Sequence, residues 1–492
     1  MIRDLKTLKK FFREKVNTPI FGVGVYAFNR LGPEDFIPQY QLLALYDSLD
    51  TRLIEKDVPV FSLEREMGEK IRWQVRRNST SVINHPRIKQ HLTKYSFPLL
   101  LPYKSSSEMV LTCQKNDWQL AANPPNLGKQ SIDNKVKFRR ILEEIGVLYP
   151  PGGIVAFGDL DFDSLAKKYN LPLVIQYPLS GGGKGTFFIK TAKDLREARK
   201  SLITLTKGEI SDSQEIVVSQ FVRGPSPSVT GCVTRGGILS TSPQHQVLSM
   251  PELYSRSGAG LFCGHDWSFS HFSPRVCQQV YKATEKVGQY LRKIGYKGIF
   301  GLDFIMDEQT EKIYVVECNP RLLGSFPTLT MAQIRNGEPP ILAFHILEFL
   351  SADCQVDIKT INQQMRRQRK GTQMLLHNLV DDWVQVHSRV RPGVYRLNSS
   401  DQGMVFVRDG YKLSHLKGEE EFLITEGILD KGTYFAPSRR IGRVLTLAPV
   451  LADYQHLNSW AKRIVACTTQ EFDLRSVRLR QLRKLLNPRL RG

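Results

Sequence analysis

The sequence lacks the features that would place the chain in a membrane or in a disulfide-rich class. It contains no run of about 18 uninterrupted apolar residues, so we predict no membrane-spanning helix. The first fifteen residues are charged throughout and lack an apolar segment, which argues against a secretory signal. The seven cysteines are scattered singly, without CxxC or another metal-ligand spacing. Free thiols in a reducing cytoplasm fit this pattern best, so we expect a cytoplasmic protein.

Acidic residues are scarce relative to basic ones. The chain has 69 Lys and Arg against 48 Asp and Glu, a formal net charge of +21. Basic residues are densest at 366–370 and 475–491, and neither run is interleaved with aromatic residues that could stack on bases. No nucleic-acid-binding motif occurs, so we expect no nucleic-acid partner. The charge therefore indicates anionic substrates, an acidic partner or a membrane surface, and the sequence leaves these three open.

The length and composition are those of a globular chain with several domains. At 492 residues the chain is expected to form two to four domains, and its hydrophobic fraction of 41% is ordinary. No internal repeat is evident. Residues 1–130 read as an α/β unit, in which alternating apolar patterns predict the following elements in order: a helix at 5–15, a strand at 19–28, a helix near 38–49, and strands at 58–62, 98–103 and 119–123.

The most informative stretch is GLDFIMDEQTEKIYVVECNPRLLGSFP, at 301–327. Its alternation predicts two antiparallel strands, which would place Asp303 and Glu317 together at one end and Asn319 on the same side. Two carboxylates and a carboxamide suit Mg²⁺, with Mn²⁺ as a second choice. Arg321 would point into the same space with a planar cation suited to phosphate. An acid at each end of a hairpin also occurs in ordinary solvated turns, so the metal site depends on a second feature.

The second feature is LVIQYPLSGGGKGTFFI, at 173–189. An apolar strand leads into a glycine-rich segment, residues 180–186, which we call the glycine loop, and a second apolar strand follows. Glycines let backbone N–H groups approach an anion closely, and Lys184 adds charge. A Walker loop would be followed by a helix, so this segment instead predicts a hairpin tip that could close over a nucleotide. Alone, such a hairpin is more often a flexible turn.

Together these stretches resemble the ATP-grasp superfamily, whose members hold ATP between two α+β subdomains. Four segments match in the family's order: DNK at 133–135 with the helix after it, the glycine loop, IVVSQFVRG at 216–224, and the set Asp303, Glu317, Asn319 and Arg321. The resemblance covers roughly residues 130–350. It implies an α/β and α+β multidomain chain with a Rossmann-like domain at 1–130, an ATP-grasp domain at 131–350 whose flap subdomain spans about 165–250, and a β-rich C-terminal cap region with a basic tail at 351–492.

The resemblance also implies roles for the matched residues. Lys135 and Arg321 would be catalytic, and Asp303, Glu317 and Asn319 would bind the metal. ATP would be held by a larger group of residues from the first three segments: Lys135, Gln176, Ser180, Gly181, Gly182, Gly183, Lys184, Gly185, Gln220, Phe221 and Val222.

Two positions depart from the family pattern. Gln176 stands where the family usually has a lysine, and Ser219 stands where it has a glutamate. Gln176 can still donate a hydrogen bond to phosphate but carries no charge. Lys184 or Lys190 could compensate, or the affinity for ATP could differ from that of the family.

The resemblance implies an ATP-dependent carboxylate–amine ligase. It would activate a small carboxylate as an acyl-phosphate for attack by an amine, giving an amide or peptide-like bond, ADP and phosphate. A homodimer is compatible with this reading. The alternatives are a carboxylase-like or kinase-like ATP-grasp enzyme and a catalytically silent ATP-binding or regulatory protein. Biotin carboxylase activity is disfavoured by Gln176.

Two further groups have open roles. His265 and Asp266 lie in a loop-like segment and are suited either to acid–base work or, more readily, to a structural role. Arg439, Arg440 and Arg443 belong to the cap region, where they either approach the cleft or lie on the surface.

Overall fold

The computed structural model describes most of the chain: residues 1–68, 71, 75–128, 131–180, 183, 185–254, 261–398 and 403–477. Within these ranges no helix combines the length and apolar character needed to cross a membrane. All seven cysteines fall inside these ranges and are free thiols.

The N-terminal region contains a five-stranded parallel sheet. Its strands are β1 (Ile20–Gly24), β2 (Tyr40–Ala44), β3 (Val60–Ser62), β4 (Leu99–Leu101) and β5 (Gln119–Leu120), arranged in the order β3-β2-β1-β4-β5. The order reverses between β1 and β4, which creates a topological switch point, the place where open α/β sheets hold ligands. The expected Rossmann-like arrangement is therefore confirmed.

Among the described residues, six helices accompany this sheet: α1 (Leu5–Lys15), α2 (Thr51–Ile54), α3 (Leu63–Met67), α4 (Ser79–Asn84), α5 (Pro86–Leu92) and α6 (Ser107–Lys115). The helix expected near 38–49 is wrong, because this segment contains strand β2 and no helix. Four of the five residues of β2 are buried. A parallel strand covered on both faces reads as a continuous apolar run, which sequence periodicity does not separate from a short buried helix.

A four-stranded antiparallel sheet carries the glycine loop. It comprises β6 (Gly152–Ala156), β7 (Leu173–Gln176), β8 (Thr186–Ile189) and β9 (Glu215–Gln220), in the order β6-β9-β7-β8. Helix α7 (Lys135–Glu144) precedes β6, helix α8 (Phe162–Tyr169) lies between β6 and β7, and helix α9 (Ala192–Leu205) lies between β8 and β9. The glycine loop joins β7 to β8, as the sequence predicts.

An eleven-stranded sheet contains most of the remaining strands. Its strands are β10 (Pro227–Thr234), β11 (Gly237–Ser240), β12 (Gln244–Leu248), β13 (Phe262–Asp266), β14 (Gly298–Met306), β15 (Ile313–Asn319), β16 (Thr372–His377), β18 (Gly393–Leu397), β19 (Met404–Arg408), β20 (Phe422–Thr425) and β22 (Arg440–Thr446). Strands before and after residue 350 belong to this one sheet, and the expected β-rich C-terminal region is confirmed.

Smaller elements complete the described chain. The strands β17 (Val384–Val386), β21 (Tyr434–Phe435) and β25 (Leu474–Ser476) form one small sheet, and β23 (Leu451–Asp453) and β24 (His456–Leu457) form another. The helices are α10 (Pro274–Lys293), α11 (Thr328–Arg335), α12 (Ile341–Phe349), α13 (Ile358–Met365) and α14 (Ser459–Glu471), with 3₁₀ turns at Ala27–Arg30, Pro33–Asp35 and Leu413–His415.

One hydrophobic core joins the N-terminal region to the eleven-stranded sheet and the helices beside it. Its buried members include Phe28 from the turn after β1, Leu101 from β4, Phe344 from α12 and Leu445 from β22. Since burial of apolar area stabilises the contacts between these regions, the loops after β1 and β4 are held in place against the hairpin formed by β14 and β15.

Candidate functional site

The hairpin of β14 and β15 places the two expected carboxylates opposite each other. Asp303 pairs with Glu317 in the antiparallel register, and Gly301 pairs with Asn319. Leu302 and Phe304 alternate with Asp303 and are buried in the core beneath the hairpin. The period-two prediction for this hairpin is confirmed.

The polar residues of the hairpin converge on one another. Asn319 Nδ2 donates to Asp303 Oδ2 at 2.8 Å and to Glu317 Oε1 at 3.2 Å. Arg321 Nη2 donates to Asn319 Oδ1 at 2.6 Å, and Gln246 Nε2, from β12, donates to Asp303 Oδ1 at 2.9 Å. The structure therefore brings all four predicted hairpin residues together, and it adds Gln246.

Lys135 connects the hairpin to the glycine loop. It begins α7, whose N-terminus is capped by Asn134 Oδ1 accepting from the N–H groups of residues 136 and 137. Its side chain is 5% exposed, and Nζ lies 3.1 Å from Glu317 Oε2. The same ammonium donates to the Ser180 carbonyl at 2.9 Å. One buried cation thus links three of the segments that the sequence singled out.

The pKa values of the two carboxyl groups are shifted in opposite directions. Burial and the neighbouring charge of Glu317 raise the pKa of Asp303 to about 7. Burial also disfavours the charged form of Glu317, but the ammonium of Lys135 and the charge of Arg321 outweigh it and lower the pKa of that carboxyl. For Arg321, burial is likewise outweighed by nearby negative charge, including Asp133, and its pKa is raised. A cation added between the two carboxylates would remove their repulsion.

The glycine loop approaches its own neighbours closely. A Cβ on Gly185 would lie 2.3 Å from Ser180 Oγ, so glycine is needed there. Gly183 adopts φ +77°, which favours glycine as well. Ser180 Oγ donates to the Tyr177 carbonyl at 3.3 Å. The predicted residues Gly181, Gly182 and Lys184 lie outside the described residues.

Gln176 lies inside the cleft between the loop sheet and the hairpin. It ends β7, is 9% exposed and lines a small cavity together with Lys135, Arg139 and Ser219. The replacement of the family's lysine therefore falls at a buried position beside Lys135, where a second ammonium would be repelled.

The segment predicted to bind adenine follows β9. The N–H groups of Gln220 and Phe221 are already bonded to the carbonyls of residues 151 and 172, at 2.8 and 2.9 Å. The ring of Phe221 is 39% exposed and stands edge-on to Phe188, with ring centroids 5.5 Å apart. Val222 is half-buried beyond it. The exposed ring of Phe221 is therefore available to a ligand, whereas the N–H groups of residues 220 and 221 are already bonded.

Tyr103, which follows β4 at the switch point, was not among the residues that the sequence predicted for the site. Arg321 Nη1 donates to the Tyr103 hydroxyl and, at 3.1 Å, to the Leu322 carbonyl. Tyr103 and Arg321 also line a cavity of about 310 Å³ between the N-terminal sheet and the hairpin. The only local signal was its position at the carboxyl end of a parallel strand.

The structure favours a structural role over acid–base work for His265 and Asp266. Asp266 is buried and accepts from the N–H groups of Phe269 and Val450, at 2.8 and 2.7 Å. His265 is buried beside Gln373, with the His265 Nδ1 to Gln373 Nε2 distance at 3.0 Å. Burial lowers the pKa of His265 to about 3, so the ring is neutral near pH 7.

The three arginines of the cap region take different positions. Arg439 is exposed. Arg443 is buried, and its Nε lies 2.6 Å from Glu426 Oε2. Arg440, whose side chain is 37% exposed, lies 3.0 Å from Glu426 Oε1. Arg440 and Arg443 therefore share one carboxylate beneath the surface.

The sequence of residues 132–325 matches the model of the ATP-grasp domain. The chain therefore contains an ATP-grasp domain. The match includes the asparagine cap before α7, the glycine loop and the whole hairpin set up to Arg321. The resemblance drawn from the four segments is thereby confirmed at the level of the domain.

Curated relatives match less than half of the chain at low identity. The multifunctional protein URA2 of Saccharomyces cerevisiae is 23% identical over 229 residues, which are 46% of this chain and 10% of that protein. The carbamoyl phosphate synthase large chain of Caldanaerobacter subterraneus subsp. tengcongensis is 24% identical over 214 residues, 41% of this chain and 18% of that protein. The chain thus spans less than a fifth of either relative's length.

Solved structures of the ATP-grasp class share the fold along almost the whole chain. The biotin carboxylase domain dimer of Hydrogenobacter thermophilus 2-oxoglutarate carboxylase, in complex with MgADP, ADP and bicarbonate, aligns with a TM-score of 0.55 and 14% identity, over 87% of this chain and 86% of that one. The ADP complex of purK, an N5-carboxyaminoimidazole ribonucleotide synthetase, aligns at 0.52 and 11% identity, over 92% and 97%. Because the aligned part extends beyond residues 132–325, the fold shared with these structures extends into the N-terminal and C-terminal regions.

Proposed function

We propose that the protein is an ATP-dependent ligase that joins a small carboxylate to an amine. It would transfer the γ-phosphoryl group of ATP to the carboxylate, and the amine would displace phosphate from the acyl-phosphate. The observation that carries the proposal is the contact of Lys135 with both Ser180 in the glycine loop and Glu317 in the hairpin. A buried cation beneath a glycine hairpin, next to two carboxylates, suits a nucleotide's phosphates.

The hairpin residues fit Mg²⁺, or Mn²⁺ in its place. Asp303 and Glu317 supply carboxylate oxygens on one side of the hairpin, and Asn319 bonds to both of them. The carboxamide oxygen of Asn319 could join them if the amide turned away from Arg321. Mg²⁺ takes few protein oxygens and completes its shell with water and phosphate, so this donor set is sufficient. When bound, the metal would neutralise the charge of the transferring phosphoryl group.

The chain's own residues would perform the rest. Lys135 would hold the phosphates against the hairpin, and Arg321 would stabilise negative charge on the transferring group or on the tetrahedral intermediate. The glycine loop would cover the phosphates and exclude water that would hydrolyse the acyl-phosphate. The exposed ring of Phe221 would lie along the adenine, with backbone groups near Gln220 and Val222 at its edge.

The proposal extends to the protein's setting. The substrates are expected to be small molecules, and the domain limits near residues 130 and 350 and a cytoplasmic location are part of the proposal. The seven free thiols support that location. A homodimer, an acidic partner and a membrane surface stay predictions from the resemblance and the charge.

The decisive experiment measures ADP release with Mg²⁺-ATP against amino acids and small carboxylates, singly and in pairs. Glu317→Gln keeps the shape of the hairpin but removes one carboxylate, and Glu308→Gln, at an exposed site on the same hairpin, is the matched control. We expect ADP only with a particular pair, in the wild type and Glu308→Gln, and none in Glu317→Gln or Arg321→Ala.

Other results would change the assignment. ADP release with bicarbonate, or phosphorylation without ligation, would favour the carboxylase-like or kinase-like alternative. Nucleotide binding by calorimetry without ADP release from any pair would favour a silent binding protein. Full turnover in both Glu317→Gln and Arg321→Ala would contradict the site itself.

A further inference from the structure

A buried arginine lies at the switch point of the N-terminal sheet. Arg30 ends the 3₁₀ turn after β1 and is only 7% exposed. Its Nη1 donates to the Asn29 carbonyl, but its Nε has no hydrogen-bond partner within the described part of the chain. Burial lowers the pKa of Arg30 to about 10, and the group is still charged near neutral pH. A buried cation with an unused N–H is unfavourable unless something pairs with it.

Glu426 does not supply that partner. Its charge opposes the lowering of the Arg30 pKa, but no ion pair joins the two residues within the described part of the chain. Its oxygens already accept from Asn29 Nδ2 at 2.7 Å and lie 3.0 Å from Arg440 Nη1 and 2.6 Å from Arg443 Nε. Arg440 and Arg443 thus share this carboxylate, and Arg30 forms no ion pair within the described residues. The three arginines therefore carry two positive charges more than the one carboxylate beside them can balance.

This cluster adjoins the candidate active site. The guanidinium carbons of Arg30 and Arg321 lie 5.6 and 5.0 Å from the centroid of the same ring, that of Tyr103. Tyr103 and Arg321 line the 310 Å³ cavity, so space for a small molecule lies next to the pair. The side chain of Arg440 is 37% exposed, so solvent reaches the cluster from the C-terminal side.

We propose that Arg30 and Arg440, beside Glu426, form a subsite for a doubly charged anionic group of a substrate. A phosphate monoester or a dicarboxylate would supply two negative charges, planar or tetrahedral oxygens for the guanidinium groups, and a partner for Arg30 Nε. The subsite rests on the proposed function only in assigning the anion to a substrate of the ATP-grasp site. It makes the substrate acidic and excludes neutral analogues, which would leave Arg30 buried without a partner.

The test uses the full-length protein without ATP or Mg²⁺. Inorganic phosphate and malonate are titrated separately, and binding is followed by the midpoint of thermal unfolding and by calorimetry. Arg30→Gln removes the buried charge. Arg366→Gln is the matched control, because Arg366 also faces a tyrosine ring, that of Tyr281 at 4.1 Å, and bonds to a hydroxyl, but it lies outside the cluster.

We expect saturable binding of at least one probe to the wild type and to Arg366→Gln, and binding weakened about tenfold or more in Arg30→Gln. The free Arg30→Gln protein should be as stable as the wild type or more stable, because an unpaired buried charge is gone. Arg440→Gln, at a more exposed position, should weaken the same probe and gives a second reading if Arg30→Gln does not fold. Tighter binding of phosphate indicates a phosphate monoester, and tighter binding of malonate a dicarboxylate.

Three results would overturn the subsite: no saturable binding of either probe to the wild type, unchanged binding in Arg30→Gln, or a matching loss of ATP affinity in that variant. The last would mean that the anion is the phosphate of ATP. Failure of the ligase proposal would look different, since it would leave probe binding and its dependence on Arg30 intact while no substrate pair released ADP.

Discussion

Replacing Lys135 by methionine tests whether its ammonium organises the site. The substitution keeps most of the aliphatic volume and removes the charge that lies 3.1 Å from Glu317. At an effective dielectric constant of about 20, that attraction amounts to about 5 kcal/mol. Burial of the ammonium offsets part of it, and the Glu317 side chain is 31% exposed, so we expect a net loss of about 1–2 kcal/mol in the free energy of unfolding.

The stability loss in Lys135→Met should depend on pH in metal-free buffer. Lys135 lowers the pKa of Glu317 in the folded state, so the wild type gains stability above the pKa of the unfolded carboxyl, about 4.3, and loses that gain as acid protonates the group. The difference between wild type and variant is therefore largest near pH 7 and vanishes in acid. Urea unfolding across this range measures it, with the exposed Lys137→Met on the same helix as control.

The same variant should lose activity far beyond its loss of stability. If Lys135 holds the transferring phosphoryl group, turnover with the productive substrate pair should fall about 10²–10³-fold. Lys137→Met should behave as the wild type. Unchanged KM for ATP and unchanged turnover in folded Lys135→Met would refute the reasoning, because the ammonium would then serve only the contact with Glu317.

Two further predictions concern the scaffold. Gly264→Ala should lower the free energy of unfolding by about 2–4 kcal/mol, because Gly264 adopts φ +150° and a Cβ would lie 1.9 Å from the Gln373 carbonyl oxygen, whereas Gly337→Ala, with φ +71° and open space, should lose only about 1 kcal/mol; urea unfolding of both variants compares them. His345→Gln should reduce the acid sensitivity of the fold: burial lowers the pKa of His345 to about 4, so protonation favours the unfolded state and wild-type stability falls between pH 6.5 and 4, by up to about 3 kcal/mol from this group. An unfolding profile for His345→Gln as steep as the wild type's over that range would count against this role.

Local patterns carried the prediction of the hairpin. The apolar alternation around Asp303 and Glu317 is a period-two signal within one short stretch, and it fixes which side chains share a face. The same kind of signal failed for β2, since QLLA is apolar at almost every position in a strand buried on both faces.

Contacts between distant segments left no comparable signal. Lys135 reaches Glu317 across 182 residues of chain, by their numbering, and the family resemblance, more than any local pattern, gave it a role. Tyr103 contacts Arg321 from the N-terminal sheet, and Gln246 contacts Asp303 from another strand of the hairpin's own sheet, so both contacts form only when distant segments come together. Their sequence surroundings are those of ordinary tyrosines and glutamines, so only the tertiary structure selects them.

The net charge of +21 can likewise be interpreted only with the structure, which shows which basic side chains are buried. Most basic side chains are solvated, and water compensates their charge whether or not a ligand exists. Burial removes that compensation, so an arginine inside the fold needs an acid, a ring of carbonyls or a bound anion. Arg443 has Glu426 at 2.6 Å, and Arg30 has a backbone carbonyl and a tyrosine ring but no carboxylate of its own in the described structure. The search for an anionic substrate therefore begins with this one buried side chain, because its unused donor distinguishes it from the many exposed ones.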